Sequence, residues 1–220
     1  MCNLYSMTKN QAAILALARA MRDSAGNVPI MTGVFPDFMA PVVRQAPDGV
    51  RELAMLRWGM PCPPAYGTQA VTNIRNTASP HWRAWLKPEN RCLVPFTSFC
   101  EYEETKPRKT PTWFALDESR PLAFFAGLWT PWHGVRGTKA NPVEGRHELF
   151  GFLTTAANAE VGAVHPKAMP VILTTQEECE TWMTAPAAEA LRLQRPLPDG
   201  ALAIVARGPR EDVPQPAMLS

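Results

Sequence analysis

Residues 91–104 read RCLVPFTSFCEYEE. The run is rich in apolar and aromatic side chains and has no glycine, so it reads as strand. In a strand, successive side chains point to opposite faces. Phe99 and Glu101 then share one face, and Cys100 and Tyr102 share the other. A carboxylate on an aromatic-lined face is desolvated, which raises its pKa and suits a general acid. An edge-strand glutamate fits the same pattern. TPTWFALD (110–117) and PLAFFAGLWTPW (121–132) continue the strand character, and a basic turn, TKPRKTP, lies between them.

Further out the pattern is the same. RELAMLRWGM (51–60), LFGFLTTAAN (149–158), MPVILT (169–174) and ALAIVAR (201–207) read as strands, and MCNLYS (1–6) as a short one. Residues 28–49 contain Pro29, Pro36, Pro41 and Pro47 and read as strands broken by turns. PCPPAYGTQAVT (61–72) reads as a loop. HGVRGTKANPVEGRH (133–147) is polar and Gly-rich and reads as a mobile surface loop. Helices are few. TKNQAAILALARAMRD (8–23) has an apolar stripe and a capping-box pattern from Thr8 and Gln11. Ser79 with Pro80 opens a short helix. Thr175 and Glu178 form a second capping box ahead of QEECETWMTA, and a short helix follows Pro186.

The 220 residues include 23 prolines and 7 tryptophans, which favours many short strands and turns over long helices. No repeat or linker divides them, so one α+β domain is expected. The 46% hydrophobic content suffices for a core, and a net charge of +2 neither demands nor excludes nucleic acid. The 5 cysteines (2, 62, 92, 100 and 179) are odd in number and form no CxxC, which argues against a zinc site or a disulfide framework. No basic-then-apolar leader opens the chain and no window approaches 18 apolar residues. The expectation is a cytoplasmic protein without membrane, metal or cofactor.

Several residues could carry chemistry. Cys2 stands directly behind Met1, and removal of the methionine leaves an α-amine and a thiol on adjacent carbons. Asn73 and Arg75 in TNIRNTAS could orient a nucleophile and hold a phosphate, or be a capping asparagine and a solvated arginine. Arg57-Trp58 could grip a phosphate and stack a base, or pack a core. His165, in AVHPKAMPVIL, sits on a turn before a strand, where a histidine can shuttle protons or be structural.

Together these segments resemble the SRAP family (SOS response-associated peptidase), whose members shield abasic sites in single-stranded DNA. The matching elements run in family order from residue 2 to about 173: the MC start, RWGM, NIRNTA, RCLVPFTSFCEYEE, FAGLW, LTTAAN and HPKAMPVIL. The resemblance implies a barrel-like core of strongly twisted mixed and antiparallel sheets with short flanking helices. It implies a domain over 1–207 and a polar, Pro-rich tail over 208–220. It makes Cys2 the nucleophile, Asn73 its positioning group, and Glu101 and His165 the acid–base pair. Arg75 becomes a phosphate contact; beside these, the residues themselves suggest Arg57 and Lys167 as further phosphate contacts and Trp58 as a base-stacking residue. The sequence departs from the family in reading His165-Pro166-Lys167-Ala168-Met169-Pro170, one residue longer than usual and with lysine for arginine. It also has Cys100 and Tyr102 around the glutamate, and MCNLYS where MCGRF is common.

The implied chemistry suits an N-terminal cysteine. An α-amine has a pKa of about 7.7–8.0 against about 10.4 for lysine, so far more of it is reactive at neutral pH. It would form a Schiff base with the ring-opened sugar, and the thiol would close a thiazolidine on the same carbon. The expected partner is single-stranded DNA containing an abasic site, bound by a monomer that joins the nucleoid when engaged, with a lyase step as a further possibility. Two rivals stand beside this reading. One is a hydrolase, peptidase or self-processing enzyme using Cys2 with its own amine as base. The other is a non-catalytic single-stranded nucleic-acid binder.

Overall fold

The structure, a computed structural model, describes residues 2–63, 67 and 69–213. In chain order its strands are β1 (Tyr5–Met7), β2 (Arg22–Asp23), β3 (Met31–Val34), β4 (Met39–Gln45), β5 (Arg51–Trp58), β6 (Asn73–Ile74), β7 (Arg91–Phe96) and β8 (Ser98–Glu103). They continue with β9 (Thr110–Ala115), β10 (Ala123–Gly137), β11 (Pro142–Thr155), β12 (Met169–Pro170), β13 (Ile172–Leu173) and β14 (Ala203–Arg207). The helices are α1 (Gln11–Ala18), α2 (Pro80–Arg83), α3 (Ala159–Val164), α4 (Gln176–Thr184) and α5 (Ala187–Ala190).

Strands β5, β4, β7, β10 and β11 pair in that order, and β11 pairs back onto β5. The sheet therefore closes into a five-stranded barrel. Five strands of alternating direction cannot close with antiparallel pairs alone. One seam must be parallel, and it is β11–β5, with Leu149 opposite Arg57 and Phe150 opposite Trp58. A second sheet, β14-β9-β8-β1-β3, lies against the barrel. Tyr5 of β1 meets Trp58, Phe125 and Phe152 edge-on, with ring centroids 5.1, 5.7 and 6.1 Å apart. Both faces of β10 are covered. Phe125 and Trp129 join the core shared with the second sheet, and Phe124, Ala126 and Leu128 pack with residues of α1 and α4.

Close strand approach dictates a glycine at 127. A Cβ there would lie 2.6 Å from the Cys92 sulfur and 2.9 Å from Val94 Cγ2. The segment 91–104, expected as one strand run, is two strands. The chain leaves the barrel at Phe96 and enters the second sheet at Ser98. Thr97 marks the change, its hydroxyl 3.1 Å from those of Ser6 and Thr8.

Two other expectations are corrected. Residues 133–147 are not a loop. They extend β10 and β11 into a long hairpin whose register runs from Gly127–Phe152 to Gly137–Pro142. Most of its tip is exposed, and no apolar alternation announces it. Gly137, at φ 86°, starts the turn. The first helix is capped by Asn10, whose side chain accepts the Ala13 amide at 2.9 Å. Thr8 instead joins Thr97, and Gln11 binds Asp23 and the Gly26 carbonyl. The Thr175–Glu178 capping box forms as expected.

Residues 208–213 of the expected tail are tied to the second sheet. The Asp212 carboxylate accepts from Ser98 Oγ at 2.6 Å and from Arg120 at 2.7 and 2.8 Å. The rest of that tail, 214–220, lies outside the described residues, as do Met1 and part of the expected loop 61–72.

Arg91 is a fully buried cation that donates to three carbonyls: Leu86 at 2.9 Å, Trp182 at 2.6 Å and Ala185 at 2.6 Å. Two of these acceptors close α4, where a cation also complements the helix dipole. Arg91→Ala leaves those carbonyls dry and opens a cavity. It should cost about 3 kcal/mol, read as a lower midpoint in chemical denaturation. An unchanged midpoint would contradict this role.

Candidate active site

The site assembles where β1, β6 and β8 meet. Cys2 precedes β1, and β1 runs antiparallel to β8 with Tyr5 opposite Phe99. The ladder continues outward, since the Cys100 amide donates to the Leu4 carbonyl at 2.9 Å. This brings the start of the chain to the stretch of β8 that holds Glu101. Cys2 is 1% exposed and Glu101 2%. The Cys2 sulfur donates to the Leu4 carbonyl at 3.4 Å.

Asn73 arrives from the far side. It does not sit at a helix start but in β6, which pairs in parallel with β11, Asn73 opposite Phe152. Its Nδ2 donates to the Cys2 carbonyl at 2.8 Å. Thr72 Oγ1 and Asn3 Oδ1 are also in range, at 2.8 and 3.3 Å, and the Thr72 hydroxyl donates to Asn3 Oδ1 at 3.0 Å. The first residues are thus held by side chains that lie seventy positions later. Thr72 and Asn3 were not singled out from sequence, and their only signal is adjacency to Asn73 and Cys2.

The electrostatics follow from burial. Desolvation pushes Glu101 up to about 7, and the positive charge of the chain's terminal amine pulls it partly back. Burial also pushes the Cys2 thiol well above its ordinary value, and the Glu101 carboxylate adds to this. At neutral pH the sulfur is therefore a thiol, while Glu101 is poised between acid and base. Around them lie three buried polar atoms without hydrogen-bond partners among the described residues: Tyr5 Oη, Asn73 Oδ1 and Thr112 Oγ1. Thr112 faces Glu101 across the β8–β9 ladder.

His165 caps the C-terminal end of α3, its amide donating to the Val161 carbonyl at 2.7 Å, and α3 packs on β8. Its pKa is lowered by burial first, then by the terminal amine, Lys167 and Lys109, with Glu104 opposing. A neutral imidazole at this position can both take and give a proton. Arg75 and Lys167 are exposed.

The structure does not place Trp58 where it could stack on a base. Trp58 is wholly buried, stacks on Phe150 and Phe152 and has no free face. Its indole N–H donates to the Thr72 carbonyl at 3.2 Å, so it braces the segment that carries Asn73. Arg57 is half-buried and held by Asp37, through the backbone carbonyl at 2.8 Å and the carboxylate at 3.3 Å. Among the described residues no group of three or more His, Cys, Asp or Glu side chains could hold a metal ion. No helix there is long and apolar enough to cross a membrane.

Fold and site define a class: a five-stranded barrel covered by a second sheet, with Cys2 held beside a buried glutamate of that sheet. Residues 1–207 match the family described as SOS response associated peptidase (SRAP), and the chain belongs to that family. The chain is 32% identical over 137 residues to the abasic site processing protein YoqW of Bacillus subtilis (strain 168) and, equally, to that of Bacillus phage SPbeta. The match covers 60% of this chain and 57% of those relatives' length. Crystal structures of proteins from Bacteroides thetaiotaomicron and Bordetella bronchiseptica share the fold, with TM-scores of 0.70 and 0.71 at 24% identity. The first comparison covers 92% of this chain and 90% of the other, and the second 94% and 98%.

Proposed function

We propose that this protein processes abasic sites in single-stranded DNA, as a cytoplasmic monomer, by bonding Cys2 covalently to the lesion. The observation that carries the reading is the meeting of Cys2, Asn73 and Glu101 from three distant segments. Membership of the SRAP family and the name of the Bacillus relatives support it.

The chemistry is ordered by protonation. Once Met1 is removed, the Cys2 α-amine adds to C1′ of the ring-opened sugar. The carbinolamine loses one water to give an imine. The thiol then adds to the imine carbon, its proton passing to nitrogen, and closes a five-membered thiazolidine. The amine attacks first because the buried sulfur is held as a thiol. Glu101, its pKa raised by burial, donates to the sugar oxygen that departs on ring opening and later accepts a proton. His165 moves protons between the site and solvent. Arg75 and Lys167, both exposed, bind flanking phosphates. Catalysis of this kind needs the amine within reach of the sugar carbon, and Asn73 fixes the backbone that carries it.

Mixing the mature protein with a single-stranded oligonucleotide bearing one abasic site should give a band on a denaturing gel that survives boiling. The intact oligonucleotide should give none. Binding without a covalent band would leave only a nucleic-acid binder, and Cys2-dependent peptide hydrolysis without a crosslink would leave a hydrolase. Asn73→Ala should slow crosslinking about 10- to 100-fold, since small misplacements of a reacting group cost that much. A wild-type rate in that variant would remove Asn73 from the mechanism.

A further inference from the structure

The β8–β9 turn, residues 104–109, has no part in the chemistry above. It begins three residues after Glu101, about 10 Å along an extended strand, and Glu103 pairs with Thr110 at its base. Its backbone is fixed from within. Thr105 Oγ1 donates to the Arg108 carbonyl at 2.6 Å and lies 2.6 Å from Thr110 Oγ1, and the Thr105 amide donates to the Glu103 carbonyl at 2.9 Å.

The charges of this turn are unequal in their freedom. Glu104 pairs with Lys109, and Glu103 reaches Arg207 at 3.9 Å. Both local carboxylates are thus matched. Lys106 and Arg108 are exposed and enter no ion pair among the described residues. The turn also stands within electrostatic range of His165, with Lys167 acting on the same imidazole. Two unmatched cations therefore sit on a preorganised turn that continues the strand carrying Glu101.

We propose that the β8–β9 turn is a phosphate-binding subsite for the DNA strand leading away from the lesion, with Lys106 and Arg108 as its contacts. Two spread, solvent-facing cations suit a run of backbone phosphates better than one enclosed anion, and they read no sequence. The inference rests on the reading of the site as one that takes an abasic strand.

Salt titration separates the two. Reversible binding of a fluorescent single-stranded oligonucleotide with a tetrahydrofuran abasic analogue, which has no aldehyde form and cannot crosslink, is measured from low to moderate salt, alongside crosslinking of the same strand with a true abasic site. Each phosphate contact contributes about 0.7 to the slope of log K against log salt for single strands. The double variant Lys106→Ala, Arg108→Ala should lose about 1.4 of that slope and raise the half-saturating DNA concentration for crosslinking. Lys106→Arg with Arg108→Lys, which keeps both charges, should restore the slope. An unchanged slope in a double variant whose wild-type parent still crosslinks would overturn the subsite alone. A wild-type protein that forms no crosslink would overturn the reading of the site and this inference with it.

Discussion

Cys2→Ala should leave no covalent product on the denaturing gel, a loss below detection rather than a slowing. Alanine keeps an α-amine once Met1 is gone, so a Schiff base can still form. It has no sulfur to close the ring, and an imine hydrolyses on work-up. Borohydride reduction should therefore trap a product with Cys2→Ala that is absent without reductant. The fold should survive, because among the described residues Cys2 makes one sulfur hydrogen bond, and the segment is held through its backbone by Asn73 and through Asn3 by Thr72. A boil-stable band from the untreated variant would show that another residue forms the bond.

Glu101→Gln should slow crosslinking by about 10² to 10⁴, the usual contribution of a positioned acid or base. The pH dependence gives the sharper reading. Donation by Glu101 requires its proton, so the wild-type rate should fall as pH rises through the burial-raised pKa of Glu101. The amine requires loss of its proton, which gives the opposing limb near 7.7–8.0. A glutamine side chain cannot titrate, so the variant should keep the amine limb and lose the other. A wild-type rate from Glu101→Gln across pH 5–8 would refute the assignment.

The same group makes a stability prediction with a definite sign. The folded protein holds the Glu101 proton more tightly than the unfolded chain, because its pKa is raised from 4.5 to about 7. The native state then binds more protons between those values, and stability falls as pH rises through that window. Glu101→Gln removes the penalty, so the variant should be more stable than wild type above pH 7, on the order of 2–3 kcal/mol. At pH 4 the two should melt together.

Much of this was legible beforehand, and the failures have physical causes. Strand character in 91–104, 110–117 and 121–132 came from aromatic and β-branched content, which burial on both faces requires. Cys2, Asn73, Glu101 and His165 came from a family pattern; the fold brings Cys2, Asn73 and Glu101 together from distant segments, and His165 follows α3, which packs on β8. Closure of the barrel through the parallel β11–β5 seam left no local trace, since pairing partners ninety residues apart share no motif. The hairpin tip was misread because the inward face of β10 carries Gly134 and Arg136 there, so burial alternates without the apolar alternation that marks a strand. Trp58 was misread because an Arg-Trp pair looks the same on a surface and in a core. Only the structure shows its ring between Tyr5, Phe150 and Phe152, where it supports Thr72 instead of a base.

The central claim is that one carbon of the lesion ends up bonded to both the nitrogen and the sulfur of Cys2. It is tested most directly by digesting the crosslink with nuclease and protease, alkylating without reduction, and fragmenting the N-terminal peptide in a mass spectrometer. The account predicts a peptide that begins at Cys2, carries the sugar less one water, and has a sulfur that resists alkylation. A sugar on any other residue, or an adduct whose Cys2 sulfur is freely alkylated, would contradict it.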